Sequence, residues 1–256
     1  MLQNPVKRKL REGKSVLGTM LNVADPIAAE AIAALGFDWL AVDTEHGPID
    51  IHVMATMFQA NGRYPVAPMA RISWNSEENI KRVLDAGAWG FVAPNVKSRE
   101  EAELVVQAAK YPPAGIRSLG TGRHVLSFKT DPATYFQRAN DEILVVLQIE
   151  HIDAVRKIDD ILSVPDVDAC YIGPNDLCAS MGLSPSLEPS HREFEEAVQT
   201  VLRAARRHGV APGIHCAAPE TVNRRIGEGW RLMGIMGDLR FMTAAAKAAR
   251  DAVKLE

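Results

Sequence analysis

The chain has 256 residues, of which 47% are apolar and 24% are charged. This length is enough for one large domain or two small ones, each able to bury a full hydrophobic core. The 29 basic and 32 acidic residues give a net charge of -3, which excludes the strongly basic balance of nucleic-acid-binding and membrane-surface proteins.

Cysteine usage and hydropathy indicate the compartment. Three cysteines, at positions 170, 178 and 216, are an odd number without a C-x-x-C pair, which argues against a disulfide framework or a zinc knot. The first sixteen residues carry charge throughout and lack the apolar core of a secretory signal. No apolar run approaches the roughly 18 residues that a membrane helix needs. We expect a soluble, cytoplasmic protein with no nucleic-acid or membrane partner.

Apolar runs of four to eight residues alternate along the chain with longer segments of helical period, which is typical of repeated βα units. The runs are apolar throughout, as in parallel strands that are covered on both faces. Eight strands are predicted, over residues 16–21, 39–43, 66–72, 90–94, 143–150, 169–173, 211–215 and 232–236. The predicted helices cover residues 25–35, 51–61, 76–86, 98–110, 151–162, 191–208, 219–228 and 239–254.

Eight strand–helix units in about 250 residues predict an α/β fold, a closed (β/α)8 or TIM barrel that forms a single domain over residues 1–256. The alternative is a doubly wound open sheet. In that fold a G-x-G-x-x-G motif often follows the first strand, and the corresponding segment here, LGTMLNVADP, lacks this spacing. No linker rich in Ser, Gly or Pro divides the chain. The polar, glycine-rich segment 111–140 is too long for a simple connection, and we predict that it forms a lid over the active site.

Functional residues of such a barrel lie at the carboxyl ends of the strands. Gln148 and Glu150 are two residues apart on one predicted strand, so they project to the same side, and Asp176 follows the next strand. Two carboxylates without His or Cys suit a hard divalent ion such as Mg²⁺ or Mn²⁺. An equally open interpretation is that Glu150 pairs with Arg71 across the barrel and that Asp176 caps a helix.

The ends of the second, third and sixth predicted strands carry further candidate site residues. His46 follows the second strand and would suit a general base at neutral pH, although a single loop histidine is more often a hydrogen-bonded surface residue. Arg71 ends the apolar strand VAPMARI, where a guanidinium is costly unless it meets a carboxylate of the protein or of an anionic substrate. The segment GPND at 173–176 predicts a short helix whose first N–H groups could bind a substrate carboxylate.

Several longer motifs occur in a fixed order along the chain. They are GFDWLAVDTEHGP at 36–48, ARI at 70–72, LDAGAWG at 84–90, YPPAGIRSLG at 111–120, QIE at 148–150 and IGPNDL at 172–177. In order and separation the chain resembles the metal-dependent class II pyruvate aldolases, typified by 4-hydroxy-2-oxoheptanedioate aldolase and 2-keto-3-deoxy-L-rhamnonate aldolase. These motifs span most of the sequence.

The resemblance implies a metal site and a binding site for a 2-oxo acid. Glu150 and Asp176 would ligate a divalent cation, Mg²⁺, Mn²⁺ or Co²⁺, and Gln148 would contact the bound 2-oxo acid. The backbone N–H groups of Asn175 and Asp176 would bind the carboxylate of pyruvate. The partners implied are small molecules, a 2-oxo acid and an aldehyde.

The resemblance also implies catalytic roles. His46 would be the base, with Asp85 raising its basicity, and Arg71 would stabilise the transition state. Asp85 precedes the fourth predicted strand and therefore lies at the other end of the barrel, so it would have to reach the site of a neighbouring subunit. The alternative is an aspartate at a helix end that is exposed to water.

The family usually assembles as a hexamer of paired subunits that exchange their C-terminal helices. The apolar residues of segment 238–255 have helical spacing, which fits such an exchange and equally fits packing on the barrel. Ser118 stands where family members commonly have Gly, and Arg123 and His124 in the predicted lid could face the distal end of the substrate. These departures leave the aldehyde half of the substrate open.

The resulting hypothesis is a reversible aldol cleavage of a 4-hydroxy-2-oxo acid to pyruvate and an aldehyde, in which the metal and Arg71 stabilise an enolate. A Schiff-base aldolase that uses Lys97 would break the same bond, but no lysine lies within a predicted strand. Another barrel lyase of the phosphoenolpyruvate type could use Gly234 and Gly237 as an anion loop. A barrel without catalysis would need the site residues to be lost, and they are present.

Overall fold

The structure is a computed structural model that describes residues 1–254. Eight strands form a closed barrel in which each strand pairs in parallel with the next one along the chain and β8 pairs with β1. The strands are β1 (Val16–Leu21), β2 (Trp39–Asp43), β3 (Ala67–Arg71), β4 (Gly90–Ala93), β5 (Leu144–Ile149), β6 (Ala169–Ile172), β7 (Ala211–Cys216) and β8 (Leu232–Gly237). The predicted (β/α)8 barrel is confirmed, and each predicted strand agrees with the observed one to within one residue at each end.

Helices separate the strands and cover the outside of the barrel. They are α1 (Pro5–Arg11), α2 (Pro26–Ala33), α3 (Ile51–Asn61), α4 (Glu77–Asp85), α5 (Arg99–Ala109), α6 (His124–Ser127), α7 (Pro132–Glu142), α8 (Ile152–Arg156), α9 (Ile158–Leu162), α10 (Pro174–Ser180), α11 (Arg192–His208), α12 (Pro219–Glu228) and α13 (Asp238–Ala252). The predicted helix over 151–162 is two helices, because Lys157 leaves the helical conformation with φ -107° and ψ 17°. The sequence analysis missed α1 and α6, which are short, and α7, whose sequence PATYFQRANDE is mostly polar.

The interior of the barrel beneath the strand ends is packed with side chains. Trp39 and Tyr171 are both at least 98% buried and meet edge to face, with 6.2 Å between ring centroids. Gly18 makes room for this packing, because a Cβ there would overlap the indole of Trp39. The barrel is therefore a filled core and not a pore, as is usual for this fold.

The prediction that segment 111–140 forms a lid over the active site is wrong for the barrel of its own chain. Segment 111–140 connects α5 to β5, and a connection from a helix to the following strand lies at the amino ends of the strands, away from the active-site end. The segment carries α6 and α7 and buries Arg117, whose guanidinium carbon is 4.6 Å from the ring centroid of Tyr111. A polar, glycine-rich composition indicated an irregular segment, but only its place in the βα order determines which end it covers.

Helix α13 follows the last strand, and most of its side chains are exposed. Phe241 packs near Phe37, with 6.4 Å between ring centroids, whereas Leu239 and Met242 are about half exposed. The helix therefore presents apolar surface that this chain does not cover. No helix within residues 1–254 is long and apolar enough to cross a membrane.

Candidate active site

A cavity of about 500 Å³ opens at the carboxyl ends of the strands. The closed barrel brings residues from distant parts of the chain to this one opening. Five of the residues predicted from the sequence line it, namely His46, Arg71, Gln148, Asn175 and Asp176. The polar strand ends therefore predicted the position of the cavity.

Arg71 is held at the cavity wall by carboxylates of the preceding strand and loop. Its Nε and Nη2 donate to Oδ1 and Oδ2 of Asp43 at 3.0 and 2.6 Å, and its Nε is 3.3 Å from Oε2 of Glu45. Asp43 is completely buried and opposes Arg71 directly in the pairing of β2 with β3. The interpretation that Arg71 pairs with Glu150 is therefore wrong, because its nearest carboxylate is Asp43.

Asp43 also organises the loop that follows β2. Its Oδ2 accepts a hydrogen bond from Nδ2 of Asn22 at 2.7 Å, and its Oδ1 accepts from the backbone N–H groups of Glu45 and His46. Burial raises the pKa of Asp43, but the hydrogen bonds and positive charge of Arg71 outweigh burial, so the pKa lies below its ordinary value. Sequence analysis missed this residue, although a charged side chain at the end of the buried strand WLAVD was a usable signal.

Glu150 lies beneath the cavity and is only 6% exposed. Its Oε1 accepts from the backbone N–H of Asn95 at 2.7 Å, and its Oε2 accepts from Nε2 of Gln148. Burial raises the pKa of Glu150, and the negative charges of Glu45 and Asp176 add to this effect, while the two hydrogen bonds oppose it. The pKa of Glu150 therefore lies above its ordinary value, because burial outweighs the two hydrogen bonds.

Helix α10 brings Asp176 to the same region. The predicted short helix is confirmed, with Gly173 as its N-cap residue and Pro174 in its first turn, and no side chain caps it. A Cβ at Gly173 would lie 2.6 Å from Oε2 of Glu150 and 3.0 Å from Nε2 of Gln148. Glycine is thus needed where the strand end passes closest to Glu150.

The donor set of this region fits a hard divalent cation with open coordination positions. Glu150 and Asp176 supply only carboxylate oxygens, which Mg²⁺ and Mn²⁺ prefer. In the described part of the chain no cluster of three or more His, Cys, Asp or Glu side chains could hold a metal ion, so water or substrate oxygens would have to complete the coordination. Oε1 of Gln148 is buried without a hydrogen-bond partner, which leaves a strong acceptor free beside the carboxylates.

Comparison with known proteins gives the family. The family model described as HpcH/HpaI aldolase/citrate lyase matches residues 17–236. This range covers all eight barrel strands except Val16, the first residue of β1, and Gly237, the last residue of β8. The chain belongs to this family.

Individual members of the HpcH/HpaI family are similar over almost the whole length. A 4-hydroxy-2-oxo-heptane-1,7-dioate aldolase of Escherichia coli is 36% identical over 96% of this chain and 94% of its own. The crystal structure of an HpcH/HpaI aldolase from Desulfitobacterium hafniense has 36% identity and a TM-score of 0.89, covering 98% of this chain and 97% of that one. A family protein from Burkholderia cenocepacia has 30% identity and a TM-score of 0.90, with 97% and 98% covered. The resemblance stated from the sequence is confirmed, and the chain is a carbon–carbon lyase.

His46 stands at the rim of the HpcH/HpaI cavity. Its side chain is 64% exposed, and its Nε2 is 3.8 Å from Oε2 of Glu45. Burial raises the pKa of Glu45, and the positive charges of Arg71 and His46 oppose the increase. An exposed imidazole at the rim can meet a substrate group that projects outward from the region of Glu150 and Asp176.

Asp85 is not brought together with His46 within one chain. It is the last residue of α4, at the amino ends of the strands, and accepts from Nη2 of Arg117 at 2.8 Å. His124 lies beside it, with Nδ1 3.6 Å from Oδ1 of Asp85, and Arg123 donates to the carbonyl of Ala86. Arg123 and His124 therefore do not face the substrate cavity of their own chain, contrary to the expectation from the sequence.

The residues required by the Schiff-base and anion-loop hypotheses are not placed for either chemistry. Lys97 does not line the cavity, and no lysine is found among the lining residues of the described chain. A Cβ at Gly234 would overlap the hydroxyl of Tyr171, so this glycine allows close packing of an aromatic side chain. Gly237 has an extended backbone with φ -178°, which any residue adopts. The Schiff-base and anion-loop hypotheses thus gain no support.

Proposed function

We propose that this lyase catalyses the reversible, divalent-metal-dependent aldol cleavage of a 4-hydroxy-2-oxo acid to pyruvate and an aldehyde, and that residues 1–256 form one catalytic domain. The observation that carries the proposal is the pair of carboxylates, Glu150 and Asp176, next to a guanidinium that Asp43 holds in place. The E. coli relative, whose name states a 4-hydroxy-2-oxo diacid as substrate, supports the same reaction class.

The 2-oxo acid half would lie over β5 and β6. Glu150 and Asp176 would hold Mg²⁺, Mn²⁺ or Co²⁺, which when bound acts as a Lewis acid toward the 2-oxo acid. Gln148 would orient this half through its side-chain amide, whose oxygen has no partner of its own. The first backbone N–H groups of α10, at Asn175 and Asp176, would receive the pyruvate carboxylate.

In this reaction His46 would accept the proton and Arg71 would stabilise the negative charge. His46 takes the proton of the C4 hydroxyl as the C3–C4 bond breaks, and the electron pair of that bond becomes the enolate of pyruvate. Arg71 donates to the developing enolate oxygen, and a fixed donor of this kind contributes about 10²–10³ in kcat. Because Asp43 and Glu45 already hold the guanidinium, it needs little reorganisation during the reaction.

We propose a cytoplasmic homo-oligomer, a hexamer, in which Asp85 of one subunit raises the basicity of His46 in another. Two features support this arrangement. Asp85 lies at the end of the barrel opposite to His46, and α13 leaves Leu239 and Met242 uncovered. The test is complementation: His46→Ala and Asp85→Ala are each inactive alone, and mixed oligomers that contain both variants regain activity. Continued inactivity of the mixed oligomers would contradict the shared site.

The reaction itself is tested by pyruvate release, coupled to a reductase. The substrates are 4-hydroxy-2-oxo acids that release succinic semialdehyde, lactaldehyde, glyceraldehyde or tartronate semialdehyde. Excess EDTA should abolish activity, and Mg²⁺, Mn²⁺ or Co²⁺ should restore it. Glu150→Gln should remain inactive with added metal, whereas Glu100→Gln, on the exposed first turn of α5, should match the wild type. Full activity in EDTA would refute the proposal.

A further inference from the structure

A second cavity, of about 730 Å³, opens at the amino ends of β3 and β4, at the end of the barrel opposite to the candidate active site. We call it the amino-end cavity. Its floor is apolar and buried, and includes Phe58 of α3, Val66 and Pro68 around the start of β3, and Trp89 just before β4. A cavity of this size can hold a small organic molecule. The proposed mechanism uses none of these residues.

The rim of the amino-end cavity is positively charged. Four cationic side chains line it, and no Asp or Glu is among its lining residues in the described chain; the cations are Lys9, Arg63, Arg123 and Lys129. Lys9 and Arg63 are 2.6 and 3.2 Å from carboxylates that lie outside the cavity. Across residues 1–254 neither Arg123 nor Lys129 forms an ion pair. Two cations of the rim therefore lack a counter-charge.

Asn61 adds a buried amide without partners. It is the last residue of α3, lines the amino-end cavity and is 1% exposed. Within the described residues neither its Oδ1 nor its Nδ2 has a hydrogen-bond partner. A buried amide that forms no hydrogen bonds lowers stability, and it can both accept and donate. This side chain therefore points to a ligand that brings polar atoms into the cavity.

Side chains of the amino-end cavity also hold the turn that follows Asp85. Nη1 of Arg123 donates to the carbonyl of Ala86 at 3.3 Å, and the hydroxyl of Ser127 donates to the carbonyl of Gly87 at 2.7 Å. Both Arg123 and Ser127 line the cavity. A ligand that draws the Arg123 guanidinium toward itself would remove one of these two supports.

We propose that the amino-end cavity binds a small organic carboxylate with a flat apolar body, and that its occupation lowers the rate of catalysis through Asp85. The effect on catalysis rests on the proposed function, which places Asp85 in the active site of a neighbouring subunit. Binding of the ligand does not depend on that function.

The charge and the shape of the amino-end cavity select this class of ligand. A guanidinium presents a planar fork of donors that matches the two oxygens of a carboxylate, and Arg123 uses its fork only for a backbone carbonyl. The rings of Phe58 and Trp89 offer flat apolar surface to the rest of the molecule. A small anion without a ring would leave this surface uncovered, and a neutral aromatic molecule would leave the cations without a counter-charge.

The binding test uses three matched probes on the full chain. Calorimetry in the presence of EDTA gives Kd for 2-naphthoate, for its neutral amide 2-naphthamide, and for acetate, which has the charge without the ring. We expect 2-naphthoate to bind at least tenfold more tightly than either of the others. Arg123→Gln should raise the Kd of 2-naphthoate at least tenfold, Arg123→Lys should retain part of the affinity, and Asn61→Leu should raise the Kd severalfold.

Arg203→Gln is the matched control. It removes the same charge from the exposed face of α11, away from the cavity, and should keep the wild-type Kd. If Arg123→Gln does not fold, Lys129→Gln changes an exposed side chain of the rim and should raise the Kd severalfold. Equal affinity for 2-naphthoate and 2-naphthamide, or an unchanged Kd in a folded Arg123→Gln variant, would overturn the site. Absence of binding, the result if a neighbouring subunit fills the cavity, would overturn it too.

The effect on catalysis is measured as the ratio of kcat with and without 2-naphthoate, in the pyruvate-release assay. At a concentration that saturates only the wild type, kcat should fall at least twofold in the wild type and stay unchanged in Arg123→Gln. Inhibition that excess substrate reverses, or that persists in Arg123→Gln, would place 2-naphthoate in the active site and overturn the coupling. An unchanged kcat in the wild type with 2-naphthoate bound would overturn it as well.

The two measurements separate failure of this inference from failure of the proposed function. A wild type that binds 2-naphthoate as expected but releases no pyruvate from any 4-hydroxy-2-oxo acid would overturn the proposed function and support the binding site. A wild type that releases pyruvate but does not bind 2-naphthoate would overturn the amino-end site alone.

Discussion

Replacing Asp43 with asparagine removes the charge that holds Arg71 while nearly preserving the size of the side chain. In the wild type both oxygens of Asp43 accept from Arg71, at 3.0 and 2.6 Å, and Asp43 has no exposed surface. After the substitution the amide oxygen of residue 43 can still accept one hydrogen bond, but Glu45, 3.3 Å away, is the carboxylate that remains beside Arg71. The guanidinium is then left mostly buried with an incomplete set of acceptors.

The magnitude follows from this geometry. Removing one partner of a buried ion pair costs about 3–5 kcal/mol, and the remaining carboxylate places Asp43→Asn near 3 kcal/mol in the free energy of unfolding. In a chain of this size each kcal/mol shifts Tm by about 2–4 °C, so a decrease of roughly 6–12 °C is expected. A misplacement of Arg71 by about 1 Å would lower kcat by about 10²-fold.

Urea unfolding followed by circular dichroism, together with the pyruvate-release assay, measures both effects. Asp159→Asn is the control, because Asp159 pairs with Arg207 at 2.7 Å on the surface, where both side chains are more than half exposed. Such a pair contributes about 0–1 kcal/mol. If Asp43→Asn were as stable as Asp159→Asn and kept its kcat, the argument that Asp43 positions Arg71 would be refuted.

The same pair makes stability depend on pH. Burial, the largest influence, raises the pKa of Asp43, but the combined effect of Arg71 and the loop N–H groups lowers it below the ordinary value. A lowered pKa in the folded state means that this contribution is fully present above the unfolded pKa, about 3.9. It is lost as the pH falls through the folded pKa, so the wild type should lose its advantage over Asp43→Asn below about pH 4.

Three further predictions concern other residues. Gly173→Ala should weaken Mn²⁺ binding about 10–100-fold, measured by calorimetry, because the new Cβ would displace Glu150. The control is Gly227→Ala, where a Cβ has open space around it, and this variant should bind Mn²⁺ like the wild type. Equal affinity of Gly173→Ala and the wild type would contradict the role of Gly173. The pKa of His215 is lowered to about 4 by desolvation and by the positive charges of Arg71 and Arg240, so its ring protons should titrate near pH 4 in ¹H NMR spectra, and titration near 6.5 would contradict this combined effect. Lys97→Ala should retain activity, and borohydride with pyruvate should label no lysine; a labelled peptide would restore the Schiff-base route.

The barrel was predictable because its strands are buried on both faces. Segments such as WLAVD and LVVLQI are apolar almost throughout, so composition alone marks strands of this kind. The lid could not be placed in the same way. The polar composition of segment 111–140 is compatible with either end of a barrel. Within the segment Arg117 is buried against the rings of Tyr111 and Tyr135, and composition does not predict that these three side chains meet.

The site was predictable where a single strand end carries the chemistry. Gln148 and Glu150 share one strand, and their spacing alone puts both side chains on one side. The choice of Asp43 as the partner of Arg71 depends instead on the register between β2 and β3, which pairs these two residues directly. The hydroxyl of Tyr171, which lies 2.9 Å from Nδ1 of His215, reaches its position because Gly234 has no side chain, and no local pattern of the sequence connects these residues of different strands.

The filled interior of the barrel has a consequence for the timing of the reaction. Because Trp39 and Tyr171 block the passage beneath the site, everything that enters the cavity leaves through the same mouth. In the proposed aldol cleavage the pyruvate fragment beside buried Glu150 sits deeper than the aldehyde fragment beside exposed His46 at the rim. The outer fragment has to depart first, so turnover follows a last-in, first-out sequence with pyruvate as the final product to escape.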